Sequence, residues 1–519
     1  MSPGDRWIRA VPPDLERPSL GDNTADADRL TKSLARALGG RVAVGFSLLK
    51  QVPYVLREND YRVCSVAAEE EGLWRLVDLR PRNEAGLLGL AVDLGTSTVV
   101  ARLMDLEGRE VQGESVFLNP QAEYGEDVLS RIHFASQDGG LETLRRCLLD
   151  ELNGEIKKLA EAAGVPPGRL AGAAMAGNTT MTHLFLGLNP FWLCREPYIP
   201  AVNRLGILRA GEVGLDINEH APVLVFPNVG SYFGGDLIAG ILASGMDLKE
   251  EVSILVDVGT NAEVVLGNKD WLMACAGAAG PALEGGVAQM GMMAGPGVID
   301  RVRVDRDTKA LDIHTIGGAP PVGICGSGLI DLVGGLFLAG MLDIRGKFVP
   351  GACEDRLKDE DGIPCFVVVP ADESGTGREL TLCQPDLDSL IRSKAAMYTI
   401  LTTVSNMVNM KPTGFSRFYV AGTFGSYIDP RSAIVLGMLP DLPLDRYESL
   451  GNTSLEGAAA ALMDKDVRDR IDRIRERITY IELNVNQEFM NLFSAAKFIP
   501  HTDLSLFPSV KELQGEYPG

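Results

Sequence analysis

The apolar and polar positions change rhythm several times along the chain. Up to about Gly86 the pattern is mixed. A Pro-rich extended piece comes first, then helical spacing from Leu20 through Asp22, Asp26 and Leu30 to Leu38. Two strand-like runs follow, Tyr61 to Val66 and Trp74 to Leu79, with the acidic turn Glu69 to Gly72 between them. That is the texture of a small α+β module. From Leu87 the chain turns strongly apolar. Leu88-Gly89-Leu90-Ala91-Val92-Asp93 runs into Gly95-Thr96-Ser97 and a second strand, Val99 to Met104, which predicts a hairpin. The same design returns far downstream as Ser253-Ile254-Leu255-Val256-Asp257-Val258-Gly259-Thr260-Asn261, followed by Ala262 to Leu266. Self-similarity at such a separation predicts two related domains facing a common cleft, not a short-period solenoid. Leu141 to Ala163 and Leu387 to Val408 have helical spacing, as does the stripe Val467, Ile471, Ile474, Ile478, and Thr453-x-x-Glu456 reads as a capping box.

Composition narrows the choices. With 519 residues, 45% hydrophobic and 23% charged, the chain suits roughly two or three packed domains. The longest apolar stretch, Pro321 to Leu342, is broken by Asp331 and glycines, and Asp5, Arg6 and Arg9 lead into Pro12-Pro13 without an apolar signal core. A cytoplasmic protein is expected. The net charge of -21 argues against a nucleic-acid partner, which requires a basic face. None of the eight cysteines stands in a close cluster of the Fe–S or zinc kind, so buried free thiols are expected, and the five histidines are scattered.

The candidate chemistry lies where strands end in Asp and glycine. A nucleoside triphosphate needs backbone N–H donors at its phosphates and a carboxylate near Mg²⁺, and a strand ending in Asp before a Gly-Thr turn supplies both. Asp93 with Gly95, Thr96 and Ser97 forms one candidate loop, and Asp257 with Gly259, Thr260 and Asn261 the other. Each alone would also make an ordinary hairpin turn. The strand Tyr419-Val420-Ala421 enters Gly422-Thr423-Phe424-Gly425-Ser426, where a base or ribose would lie on exposed backbone. Gly323 to Asp331 reads either as a helix entry of the nucleotide subdomain, with Gly326 and Ser327 as candidate nucleotide-binding residues, or as a plain helix N-terminus. Asn178 and Thr179 follow a small-residue strand and either bind phosphate, orient water or cap a helix. Asp236, in Phe233-Gly234-Gly235-Asp236, either positions an attacking water or caps a helix, and Glu284 has no assigned role. Asp312-x-His314-x-x-Gly317 matches a cobalt-histidine pattern of cobalamin domains. We set it aside because the residues that follow lead into the nucleotide region. Met290, Met292 and Met293 read as core packing or as an adaptable surface.

Several segments in order carry a resemblance. Pro18 to Asn23, Asn119-Pro120-Gln121 with Tyr124-Gly125 and Arg131, Ala176-Gly177-Asn178-Thr179-Thr180-Met181, Ala279-Gly280-Pro281-Ala282-Leu283-Glu284-Gly285, Cys325-Gly326-Ser327-Gly328 and Gly451 to Ala458 are similar to the reductive activators of corrinoid enzymes. The resemblance runs from about Ser19 to Pro500. It implies an α/β fold: a two-lobed actin-like ATPase with duplicated ribonuclease H-like domains, preceded by a small α+β domain. The expected boundaries are an extended segment 1–18, the α+β domain 19–86 and the ATPase region 87–519. Its lobes would be about 87–250 with the C-terminal part, and about 251–440. The implied ligands are ATP and Mg²⁺. Asp93 and Asp257 would hold the metal directly or through water, and Thr179, Gly280, Gly422, Thr423 and Gly425 would join the nucleotide site. Members of this family usually carry an N-terminal ferredoxin-like domain with a 2Fe-2S cluster, and the resemblance here begins after it. No Fe–S cluster is therefore expected in these residues: either the sequence is a fragment, or a separate ferredoxin or other low-potential carrier donates the electron, or this branch has another task.

The resemblance implies ATP-dependent return of a partner's Co(II) corrinoid to Co(I) in a methyltransferase system. A small-molecule kinase of the same superfold and a nucleotide-gated binding module are the alternatives, and a homodimer is left open.

Overall fold

Alternating apolar residues near the N-terminus build a four-stranded sheet from β1 (Ile8–Val11), β2 (Val42–Ala43), β3 (Val63–Glu70) and β4 (Leu73–Pro81), in the order β1-β3-β4-β2. This is a computed structural model, and it describes residues 6–84, 86–258, 262–277, 288–422, 428–482 and 487–515. The segment expected to be merely extended thus supplies an edge strand, with Ile8 opposite Ala68. The first helix spans Asp26–Leu38, later than the pattern from Leu20 suggested, and exposed Leu20 lies outside it. Leu30, Leu34 and Leu56 fill the core against Val63, Ala67 and Trp74.

The chain divides into two compact units, Met1–Ala243 with Ser454–Glu476, and Ser244–Thr453 with Arg477–Gly519. In the first unit β5 (Leu88–Leu94), β6 (Thr98–Asp105), β7 (Glu110–Leu118), β8 (Leu170–Gly177), β9 (Leu208–Arg209) and β10 (Pro222–Val225) form one sheet, ordered β7-β6-β5-β8-β10-β9. β5 pairs antiparallel with β6 and parallel with β8, and β8 pairs parallel with β10. β8 is buried throughout, as expected of a parallel strand covered on both faces. The Gly140–Ala162 helix packs its leucine stripe on this sheet.

The second unit repeats the scheme. β11 (Ser253–Val258), β12 (Ala262–Gly267), β13 (Leu272–Gly277), β20 (Arg417–Ala421), β21 (Tyr447–Gly451) and β22 (Ile478–Glu482) form the sheet β21-β20-β11-β12-β13-β22. β11 is antiparallel to β12 and parallel to β20, and β20 is parallel to β21. The five strands β7-β6-β5-β8-β10 and β13-β12-β11-β20-β21 therefore have equivalent order and sense, which is the duplication the two Asp-x-Gly-Thr segments foretold. Two small sheets complete the unit: β14 (Val298–Val304), β15 (Leu311–Thr315) and β16 (Gly323–Ile324), then β17 (Leu357–Glu360), β18 (Ile363–Val369) and β19 (Leu380–Cys383).

Three expectations need correction. Cys365 and Cys383 face each other across β18 and β19 and form a disulfide, so six cysteines are free instead of eight. Their wide sequence separation hid a pairing that sheet register creates. The Thr453–Glu456 capping box does not form. The helix begins at Thr453 itself, whose buried hydroxyl has no hydrogen bond, and Glu456 reaches Arg102 at 2.7 Å. Of the apolar stripe, Ile471 and Ile474 lie buried on the Lys465–Arg477 helix, but Ile478 already begins β22.

Candidate functional site

In the first unit the carboxyl ends of parallel strands bring the predicted residues together. Asp93 lies opposite Ala176 and Leu94 opposite Gly177, so the loop after β5 and the loop after β8 are neighbours. Open parallel sheets bind ligands at this end. Gly95 is required there, because a Cβ would collide with the Thr98 carbonyl. The turn is fastened from behind by buried Asn119. Its Nδ2 donates to the Gly95 oxygen at 2.9 Å, and its backbone N donates to the Ser97 oxygen at 2.9 Å.

Asn178 serves two ends at once. Its Oδ1 accepts from the Met181 N–H at 2.9 Å, capping the Thr179–Leu186 helix, and its Nδ2 donates to Thr96 Oγ1 at 2.9 Å. The capping reading and the site reading of this residue therefore coincide in one side chain. Thr179 is buried, and its hydroxyl donates to the Gly230 oxygen at 3.0 Å, so that hydroxyl holds a neighbouring loop. Asp236 sits in the first turn of the Gly235–Ser244 helix, and its Oδ1 accepts from the Leu237 N–H at 2.9 Å. It is brought against Asn178 by Gly234, whose missing Cβ would collide with Asn178 Cα and lie 2.7 Å from Asp236 Oδ1. Asp93, Thr96, Ser97, Asn178 and Asp236 are all half-buried, so this face reaches solvent.

Two residues behind the site escaped the sequence reading of chemistry. Arg131 is fully buried with no carboxylate partner among the described residues. Its Nε donates to the Gly125 oxygen at 2.8 Å, and its Nη1 approaches Met181 Sδ at 3.3 Å. Burial lowers its guanidinium to about 10. Buried His183 places Nδ1 2.7 Å from the Thr179 oxygen, while Nε2 accepts from the Ala201 N–H at 3.1 Å. The neutral tautomer with the proton on Nδ1 satisfies both bonds. Burial lowers the imidazole below its ordinary value, against the opposing pull of the Thr179 carbonyl. Only the local string Asn119-Pro120-Gln121 with Arg131 hinted at the first of these.

In the second unit Asp257, next to last in β11, lies opposite Ala421 of β20 and Glu263 of β12, and Gly422 follows Ala421 immediately. Gly259, Thr260, Asn261, Gly280, Glu284, Thr423 and Gly425 lie outside the described residues. Gly326 and Ser327 open the Gly326–Leu338 helix, as the pattern suggested. Ser327 is buried and donates its hydroxyl to the Asp300 oxygen at 3.0 Å. His314 lies on β15 with Nδ1 2.5 Å from Asp300 Oδ1, inside a sheet of the nucleotide-type unit. Met290 is buried, whereas Met293 is half exposed.

Duplicated sheets of this topology, each ending its first strand in Asp before a Gly-Thr turn, define the actin-like sugar-kinase and heat-shock ATPase superfold. Within it, the chain belongs to the RACo family: residues 251–511 match the C-terminal ASKHA domain of RACo, 88–249 the RACo middle region and 5–86 the RACo linker region. It is 30% identical over 482 residues to the corrinoid activation enzyme RamQ of Eubacterium limosum, covering 91% of this chain and 79% of that protein. It is 24% identical over 449 residues to the [Co(II) methylated amine-specific corrinoid protein] reductase of Methanosarcina barkeri, covering 78% and 76%. Among solved structures, a reductive activator for corrinoid, iron-sulfur protein superimposes with a TM-score of 0.89 at 39% identity, over 97% of this chain and 81% of that one. Among the described residues no helix is long and apolar enough to cross a membrane.

Proposed function

We propose that this protein is an ATP-dependent reductive activator, returning the Co(II) corrinoid of a methyltransferase-system protein to Co(I) with electrons from a low-potential donor. The observation that carries the ATP part is the Asn178–Thr96 bond. It couples a helix N-terminus to a glycine turn beside Asp93 and Asp236, a donor set suited to phosphate oxygens and a hydrated Mg²⁺. The corrinoid part rests on family membership.

In this reading Asp93 and Asp257 hold Mg²⁺, directly or through water. Backbone and hydroxyl donors of Gly95, Thr96 and Ser97, with Gly259, Thr260 and Asn261, take the phosphates. The ion would neutralise phosphate charge. Asp236 orients the attacking water, and Gly422, Thr423 and Gly425 take the adenosine. ATP is needed because a one-electron step uphill by about 0.2 V costs about 5 kcal/mol, and nucleotide turnover supplies more than that. Coupling requires the corrinoid partner to prefer one nucleotide state of this protein over the other.

The test is reduction of a purified Co(II) corrinoid protein, followed by visible absorption, with this chain, a low-potential donor and ATP present or absent. Co(I) appearing only with ATP supports the reading. ATP turnover stimulated by a small hydroxyl substrate, with no corrinoid protein present, would support the kinase alternative instead.

A further inference from the structure

The second unit carries a built depression that the nucleotide loops do not use. Arg345, Asp388, Ile391, Arg392, Ser494, Lys497 and Phe498 line a cavity of about 360 Å³, within the range of small-molecule sites. None of the candidate nucleotide residues is among them. Its floor is apolar, from Ile391 and Phe498, and its rim is cationic. Arg345, Arg392 and Lys497 have no carboxylate partner among the described residues, and Lys497 instead lies over the Phe493 ring at 5.0 Å. The one acid in the lining, Asp388, is already engaged by Lys347 at 2.8 Å and by Gln384 Nε2 at 2.9 Å. In a chain of net charge -21, three cations lining one depression with no carboxylate partner among the described residues are out of keeping with the rest of the composition. Their mutual repulsion is relieved by a bound anion.

The walls are fixed by bonds that do not involve the rim side chains. Gly346, at φ 69°, lets the loop lie against Ile391, where a Cβ would collide with the Ile391 methyl. Gln384 Nε2 donates to the Gly346 oxygen at 2.9 Å, and the Asp343 carboxylate accepts from the backbone N–H groups of Arg345 and Lys347. Ile499 N donates to the Ile344 oxygen at 2.8 Å. Fully buried Lys394 donates to the carbonyls of Phe498 and Pro500. Three chain segments are thereby locked together around the depression, so a ligand would meet walls already in place.

We propose that this cavity is an accessory binding site for a small molecule carrying phosphate groups. Arg345, Arg392 and Lys497 would contact its phosphate oxygens, Ser494 would donate a hydrogen bond, and Ile391 and Phe498 would cover its apolar part. Guanidinium forks suit phosphate geometry, and the volume of the depression is of the size of a metabolite site.

The test is calorimetric titration of this chain with inorganic pyrophosphate, with the nucleotide loops saturated by ADP. The wild type is compared with the Arg345→Ala/Arg392→Ala double variant. Both changes are at exposed side chains, so folding is retained, and an unchanged melting temperature checks this. The expected result is binding that survives ADP and weakens at least about tenfold in the double variant. No binding at millimolar pyrophosphate, loss of binding when ADP is added, or equal binding by the double variant would each overturn the proposal. Citrate in a parallel titration separates phosphate from carboxylate chemistry, and equal or tighter binding of citrate would overturn the phosphate assignment.

Discussion

At the scale of single residues, Asn178 joins folding to chemistry and its two roles can be separated. Asn178→Asp keeps an oxygen for the Met181 N–H but loses the amide that donates to Thr96. Stability should then stay within about 0.5 kcal/mol, because Asp caps as well as Asn, while ATP affinity falls. Asn178→Ala loses both bonds and should cost about 1 kcal/mol more. Urea unfolding and ATP titration of the two variants check this. His183 adds a pH dependence. Its folded imidazole is depressed below the unfolded value, so its contribution is fully present above about pH 6.5. That contribution is lost as pH falls from there toward the folded value, since the unfolded chain then binds the proton first. Unfolding midpoints at pH 7.5 and pH 5.5 should differ more in the wild type than in a His183→Gln variant. Asn178 was visible in the sequence as a polar residue after a small-residue strand. Its second partner, Thr96, was not, because that bond depends on β5 and β8 being adjacent.

At the scale of elements, the sheets were the most legible part and the cross-strand pairings the least. The hairpin of β5 and β6 and its copy in β11 and β12 could be read directly, since a buried hairpin needs two apolar runs and a glycine turn. The third strand of each triplet, β7 or β13, carried no such mark. β7 is an edge strand with exposed Val111, Val116 and Leu118, so its pattern lacks a buried face. The Cys365–Cys383 disulfide was unreadable for a related reason: residues far apart in sequence meet only through the register of β18 and β19. That pairing gives a count. Thiol titration of the denatured, unreduced chain should find six free thiols, and eight after reduction. Eight before reduction would mean that the two strands hold separate thiols.

At the scale of the whole chain, the sequence order of the segments conceals how the first unit is assembled. Its N-terminal module and its return segment, Ser454–Glu476, are joined through Glu69, buried to 5% exposure. Glu69 takes the Gly72 N–H at 2.6 Å, Arg468 at 3.0 Å and Lys465 at 3.2 Å. Trp7 completes the junction, donating from Nε1 to the Ala461 oxygen at 2.9 Å and lying beneath the Arg468 guanidinium. Burial alone would raise the Glu69 carboxyl, but the Gly72 N–H and the two cations outweigh it and leave it below the ordinary carboxylate range. The carboxylate therefore stabilises the fold at neutral pH, and this contribution disappears as pH falls through the lowered folded value. Removing Glu69 leaves the Arg468 guanidinium with Asp469, at 2.9 Å, as its remaining carboxylate, and leaves the Gly72 N–H without its acceptor. Glu69→Ala should therefore cost about 1–3 kcal/mol at pH 7, and less once the pH is taken below the lowered folded value, where the wild-type carboxyl is itself protonated. Urea unfolding monitored by tryptophan emission, to which Trp7 contributes at the junction, would measure the difference at both pH values. A penalty of the same size below that folded value as at pH 7 would mean that Glu69 acts through packing and not through its charge.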